Sequence, residues 1–213
     1  SFPGYIGYYH LLKIFKLKTV LILTEYFYPA YKAGGPIQSI TNLILALEDE
    51  YNFYVVTSAY DMRSTELMKN IKQDNWNKIG LPGSRKTISV WYSGQHKIST
   101  KLFRDLLQSV QPDVVYLNGM FSFRLFLIPL FISKKYLEKL QIVICPRGML
   151  QKGALTNKFF KKKIYLHTLK LMGLVKTIKW HATNLEEEND IKREFPNSNN
   201  IVIAMNIPKK PKL

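Results

Sequence analysis

Short runs of apolar, often β-branched residues alternate along this chain with segments whose apolar positions recur every three or four residues. The first pattern predicts strands buried on both faces, and the second predicts helices packed by one face. Lys18 to Thr24 (KTVLILT) reads as a strand, and Ile37, Ile40, Leu43, Ile44 and Leu47 then mark one side of a helix. Tyr51 to Thr57 (YNFYVVT) is the second strand. The polar, turn-rich stretch from Asp61 to Lys86, with LPG at Leu81 to Gly83, reads as an insertion.

Thr87 to Tyr92 predicts a third strand. Leu102, Phe103, Leu106, Leu107 and Val110 predict a helix capped by Ser99 or Thr100 and ended by Gln111 to Asp113. Val114 to Leu117 is the fourth strand, Phe121 to Lys135 an apolar helix, Gln141 to Cys145 the fifth strand, and Asn157 to Met172 a lysine-rich helix. Thr177 to Ala182 is a sixth strand. Thr183 and Glu186 have capping-box spacing before a helix at Leu185 to Glu194, with acids at its start and Lys192 and Arg193 at its end. Ile201 to Ala204 is a seventh strand, and IPKKPKL reads as a linker.

Strands alternating with helices predict an α/β fold, a doubly wound and mostly parallel sheet. Residues 18–206 are expected to form one domain, preceded by an extension at 1–17 and followed by linker at 207–213. Ligands of such sheets bind beyond the carboxyl ends of the strands. The segments to examine are therefore TEYFYPAYKAGGP, TSAYD, SGQH, NGMF, PRGMLQKG, TNLEEE and NIP.

Composition narrows the setting. The 213 residues are 46% hydrophobic and 22% charged, which fits a folded domain rather than a disordered chain. One cysteine, Cys145, excludes an intrachain disulfide framework and suits a reducing, cytoplasmic environment. No apolar run reaches the roughly 18–20 residues of a membrane-spanning helix. The net charge of +16 predicts an anionic partner, and nucleic acid, a lipid surface and phosphorylated small molecules all qualify.

Gly34 and Gly35, just before Pro36 and a helix, suit an anion held by backbone amides at a helix start, or a plain tight turn. No dinucleotide or P-loop fingerprint follows any strand. Asn118, at the end of a strand, offers a carboxamide able to donate and accept. Arg147, between Pro146 and Gly148, offers a guanidinium suited to two-pronged binding of phosphate or carboxylate. His181, alone in an apolar strand, reads as a satisfied core residue, and His10, His96 and His167 lack metal-ligand spacing. No metal is expected. The acids Glu186 to Glu188 are accounted for by the helix start, and Cys145 reads as a small buried residue.

In order and spacing, TEYFYPAYKAGGP, QPDVVYLNGMFS, PRGMLQKGAL, IKWHATNLEEENDIK and IVIAMNIPKKP resemble the amino-terminal half of a glycosyltransferase family 4 enzyme, built from two Rossmann-like domains (GT-B). The resemblance runs from about Thr19 to the carboxyl end. It implies transfer of a sugar, with retention and without a metal or other cofactor, from a nucleotide-sugar donor to a glycan or polyprenol-linked acceptor. Surface polysaccharide synthesis is the implied setting.

Gly34 and Gly35 match the family's glycine-rich loop, Arg147 the arginine of its PRGML pattern, and Thr183 the hydroxyl residue of its HAT pattern. Asn118 stands where many members carry histidine. Asn206 matches the asparagine of the hinge, with Met205 in place of proline. The resemblance also implies a donor-binding domain with an E-x7-E motif beyond Leu213, so little turnover is expected of these residues alone.

The lysines of Asn157 to Met172 interleave with Phe159, Phe160, Ile164, Tyr165 and Leu166, a pattern that suits an anionic membrane surface as well as a solvated helix. The competing reading is a noncatalytic basic α/β module for nucleic acid or sugar phosphates. It is permitted by a pI near 9.8, but no nucleic-acid recognition motif is visible, so no nucleic acid is expected.

Overall fold

The computed structural model describes residues 17–94, 98–136, 140–156, 159–171, 173, 175 and 177–208. The expected extension, apart from Leu17, lies outside them, as do the linker residues 209–213, His10, His96, Asn157 and Met172.

Eight strands form one sheet: β1 (Lys18–Thr24), β2 (Tyr51–Ser58), β3 (Trp76–Gly80), β4 (Thr87–Ser93), β5 (Val114–Asn118), β6 (Gln141–Cys145), β7 (Lys179–Ala182) and β8 (Ile201–Ile203). Their spatial order is β3-β4-β2-β1-β5-β6-β7-β8, and every neighbouring pair except β3–β4 is parallel. The α/β, doubly wound, Rossmann-like architecture is therefore observed. Helices α1 (Gly35–Leu47), α2 (Thr100–Val110), α3 (Ile128–Ser133), α4 (Lys152–Thr156), α5 (Phe159–Leu171) and α6 (Leu185–Glu194) accompany the strands.

Alternate residues of β1 face opposite layers, as the two-residue period of a strand requires. Leu21 and Leu23 join the core built with Phe103 of α2, Leu130 of α3, Leu166 of α5 and Ile191 of α6. Val20 and Ile22 join the opposite core with Ile40 and Ile44 of α1. Burial on both faces explains why β1 reads as an unbroken apolar run.

Three expectations change. The stretch Asp61 to Lys86 is not only an insertion, because it contains β3, which pairs antiparallel with β4 at the sheet edge. Its polar composition hid the strand: an edge strand buries little, and the residues of β3 are all half-buried or exposed.

The Phe121 to Lys135 helix is three pieces. A wide π-turn spans Phe123–Leu127, α3 follows, and a short 3₁₀ turn covers Lys134–Tyr136. Pro129 has no N–H and cannot continue a regular ladder, and the turn is closed instead by Leu127 N–H to Ser122 O at 3.1 Å.

The cap of α6 is Asn184, whose side chain accepts from Glu187 N–H at 2.8 Å. The capping pair is thus Asn184 and Glu187 rather than Thr183 and Glu186, a shift of one residue that spacing did not resolve.

Candidate functional site

The chain reverses its direction of travel across the sheet between β1 and β5, which opens a crevice at their carboxyl ends. Register places Thr24 beside Asn118 and Asn118 beside Cys145, so three strand ends stand in a row. Arg147 follows two residues beyond Cys145.

Arg147 adopts a left-handed backbone, φ 56°, followed by Gly148 at φ 71°. A bulky residue in that region carries strain, which the surroundings must hold in place. They do so through the guanidinium. Nε donates to Asn118 Oδ1 at 2.6 Å, one terminal nitrogen donates to Asn206 Oδ1, and the other donates to Tyr116 Oη at 3.3 Å. Three of the five guanidinium N–H groups expected of arginine are thereby engaged, so Arg147 is a clamp between loops rather than an empty fork. The Asn118 carboxamide completes the bridge by donating to Thr24 Oγ1 at 3.1 Å.

A second arm runs through His181. Its Nε2 lies 2.8 Å from Ala204 O, which can only accept, so Nε2 carries the proton and Nδ1 accepts from Tyr116 Oη at 2.8 Å. Burial lowers the His181 pKa and the nearby Arg147 charge adds to this, outweighing the Ala204 bond and Glu187. Burial pushes the Tyr116 phenol far up, which keeps it a donor. Cys145 is buried, and burial raises its thiol as well, so it offers no thiolate.

Thr183 joins the same cluster through Glu187, which in sequence counts only among the acids at the helix start. The buried Glu187 carboxylate accepts from Gly148 N–H at 2.7 Å, Thr183 N–H at 2.7 Å and Thr183 Oγ1 at 2.6 Å. It ties the loop after β6 to the start of α6. Its burial could not be read from the acidic run Glu186 to Glu188, because the three residues look alike in sequence.

Gly34 and Gly35 stand apart from this cluster, at the exposed start of α1. Gly34 caps the helix at φ 60° and Gly35 begins it, which puts Pro36 at the second helical position. Gly34 N–H donates to Tyr31 O, and the amides of Ile37 and Gln38 both donate to Gly34 O. Among the described residues the Gly35 amide donates to no loop carbonyl, so of this helix start it alone matches the anion-binding amide that the sequence predicts. The tail after β8 links the two regions: Asn206 meets Arg147, and Ile207 O accepts from Asn42 of α1 at 2.7 Å.

Beside the clamp lies a polar crevice of about 250 Å³ at the ends of β1, β2 and β4, lined by Glu25, Tyr26, Asp61, Arg63, Ser122 and Arg124 among others. Burial, which removes water from the charged form, raises the Glu25 carboxyl above its usual range, against a lowering hydrogen bond from Ser122. Asp61 accepts from the amides of Tyr31, Lys32 and Met62 and so holds the loop that leads to Gly34. Burial alone would raise its carboxyl, but these bonds and the Lys32 charge bring it below the usual range. Position after a strand end was the available signal for Glu25 and Ser122. Among the described residues, no three His, Cys, Asp or Glu side chains are grouped as a metal ion would need.

A scan against protein-family models and a search of curated proteins find no match to this chain.

Proposed function

We propose that this chain is the acceptor-side domain of a retaining glycosyltransferase, which moves a sugar from a nucleotide-sugar to a glycan or lipid-linked acceptor in surface polysaccharide synthesis. One observation carries the reading. Residues scattered from Thr24 to Asn206, each within a segment that carries the family resemblance, meet along one carboxyl edge around a strained arginine held by three hydrogen bonds.

In this reading the polar crevice receives the acceptor, and Glu25, made more basic by burial, orients the attacking hydroxyl. The departing nucleoside diphosphate gains negative charge as the glycosidic bond breaks. The Gly35 amide and the positive end of α1 face that charge, a fixed arrangement that lowers the barrier without reorganisation. Arg147 acts as a positioning residue, holding Asn118 and the 204–208 tail in register across the crevice.

The test uses this domain joined to a donor-binding domain. A Cβ at Gly35 meets open space, so Gly35→Val leaves the fold intact while blocking approach to the amide. Turnover is expected to fall about a hundredfold, as when one oxyanion donor is removed, with thermal unfolding unchanged. Arg147→Ala is expected to lower turnover as well. Wild-type kinetics in both variants would overturn the proposal.

A further inference from the structure

On the far side of the π-turn from the crevice lies an apolar groove of about 570 Å³ between α3 and α5, walled by Phe123, Leu127, Phe131, Ile164 and Leu169. Several of these side chains are left in water: Phe123 is 63% and Ile164 67% exposed. Helix α5 has two apolar sides. Leu166 and Leu169 pack inward, while Phe160, Ile164 and Leu171 recur at helical spacing on the outside, Phe160 at 79% and Leu171 at 75% exposure. That outer stripe extends the groove for about 16 Å along the helix, at 1.5 Å per residue. Exposed apolar residues in so continuous a run mark an interaction surface rather than ordinary solvent-facing scatter.

Lysines frame the groove. Lys161 lines it and Lys135 lies 5.5 Å from the Phe131 ring centre, while Lys163, next to Ile164 on α5, sits outside the groove lining, 5.5 Å from the Phe159 ring centre. None of the three has an acidic partner among the described residues. An apolar floor rimmed by unpaired ammonium groups is complementary to acyl chains beneath anionic headgroups. A second copy of this chain would set lysine against lysine, which disfavours self-association.

We infer that this groove and the outer face of α5 form a docking surface for an anionic phospholipid bilayer, with Phe123, Phe160 and Ile164 entering the acyl boundary and Lys135, Lys161 and Lys163 meeting lipid phosphates. The inference stands independently of the transferase reading. The position has a consequence for the site: Phe123 belongs to the groove while its neighbours Ser122 and Arg124 line the crevice. Docking through the groove therefore holds the crevice at the lipid–water boundary.

Flotation of the 213-residue chain with phosphatidylcholine vesicles, with and without phosphatidylglycerol, tests this. Flotation is expected only with phosphatidylglycerol. The double variant Lys161→Gln/Lys163→Gln is expected to weaken binding about thirtyfold, taking about 1 kcal/mol per basic residue at an anionic surface. Phe123→Ser/Ile164→Ser is expected to weaken it at least about tenfold, since burial of each side chain is lost. Ile164→Trp supplies a reporter that tolerates the site: its emission should shift to the blue on the vesicles and be quenched by brominated acyl chains. Absence of flotation, wild-type flotation by either double variant, or an unshifted reporter would each overturn the inference. A dimer in sedimentation that Phe123→Ser/Ile164→Ser dissolves, with no vesicle binding, would instead assign the groove to self-association.

Discussion

Arg147 and His181 show how individual side chains acquire their character here from neighbours distant in sequence. Arg147 accepts a left-handed backbone because Asn118, Asn206 and Tyr116 together hold its guanidinium. His181 is neutral in the fold, with its pKa below the ordinary value of 6.5 because burial and the Arg147 charge disfavour the imidazolium. In the unfolded chain it titrates normally. The unfolded state thus binds more protons between the two pKa values, and stability falls as pH drops below about 6.5. We expect urea unfolding at pH 7 and pH 5 to show this loss in the wild type and less of it in His181→Gln. An equal slope in the two proteins would mean that His181 is not the group responsible.

Asn118 and Arg147 were legible as candidates because they stand at or just beyond strand ends, where α/β sheets place their ligand groups, and Thr183 through the family resemblance. Their actual roles were not legible. Asn118 and Arg147 bond to each other, and Thr183 bonds to Glu187. Such pairings depend on which loops meet in space, and nothing local specifies them.

At the scale of elements, helix starts and strand ends are coupled rather than merely adjacent. Glu187 caps the amides of Gly148 and Thr183 while its own amide is capped by Asn184. Glu187→Ala would strand two amides and a hydroxyl on the half-buried Gly148 and Thr183. The expected cost is about 2–4 kcal/mol of unfolding free energy, less than roughly 1–3 kcal/mol for each of three fully buried groups because water can reach part of this site, measurable by chemical denaturation. A loss below 0.5 kcal/mol, the ordinary range for surface substitutions, would refute the coupling.

The elements themselves divide by how they are stabilised. Strands β1, β2, β4, β5 and β6 were legible because burial on two faces imposes continuous apolar runs. The antiparallel β3 was not, since an edge strand needs few apolar residues. The π-turn at Phe123–Leu127 also escaped the reading, although Pro129 was visible, because proline's lost donor permits several local solutions and packing selects among them.

Across the whole molecule, the 204–208 tail returns over the carboxyl edge from β8 to α1. It bonds through Ala204 to His181, through Asn206 to Arg147 and through Ile207 to Asn42. Asn42 is buried, and its side chain is also fixed by Gln38 at 2.7 Å. We expect Asn42→Ala to raise amide hydrogen exchange in residues 204–207 and at Gly148, with exchange in the strands unchanged. Unaltered exchange in the tail would show that its path does not depend on α1. The net charge of +16 belongs to this scale too. It predicts an anionic partner, but only folding decides that Lys135 and Lys161 frame one apolar groove, with Lys163 beside it on α5.

The sequence by itself determined the order of the seven parallel strands, the mostly parallel doubly wound class and the edge at which to seek a site. These follow from periodicity and burial, which are written locally along the chain. Only the tertiary structure decided that Arg147 is clamped, that Glu187 joins two loops, that Gly35 stands apart from the clamp, and that a lysine-rimmed groove adjoins the crevice. Those features are contacts between residues separated by up to 165 positions, as for Asn42 and Ile207. The free energy of each such contact depends on neighbours and burial that exist only once the sheet has assembled.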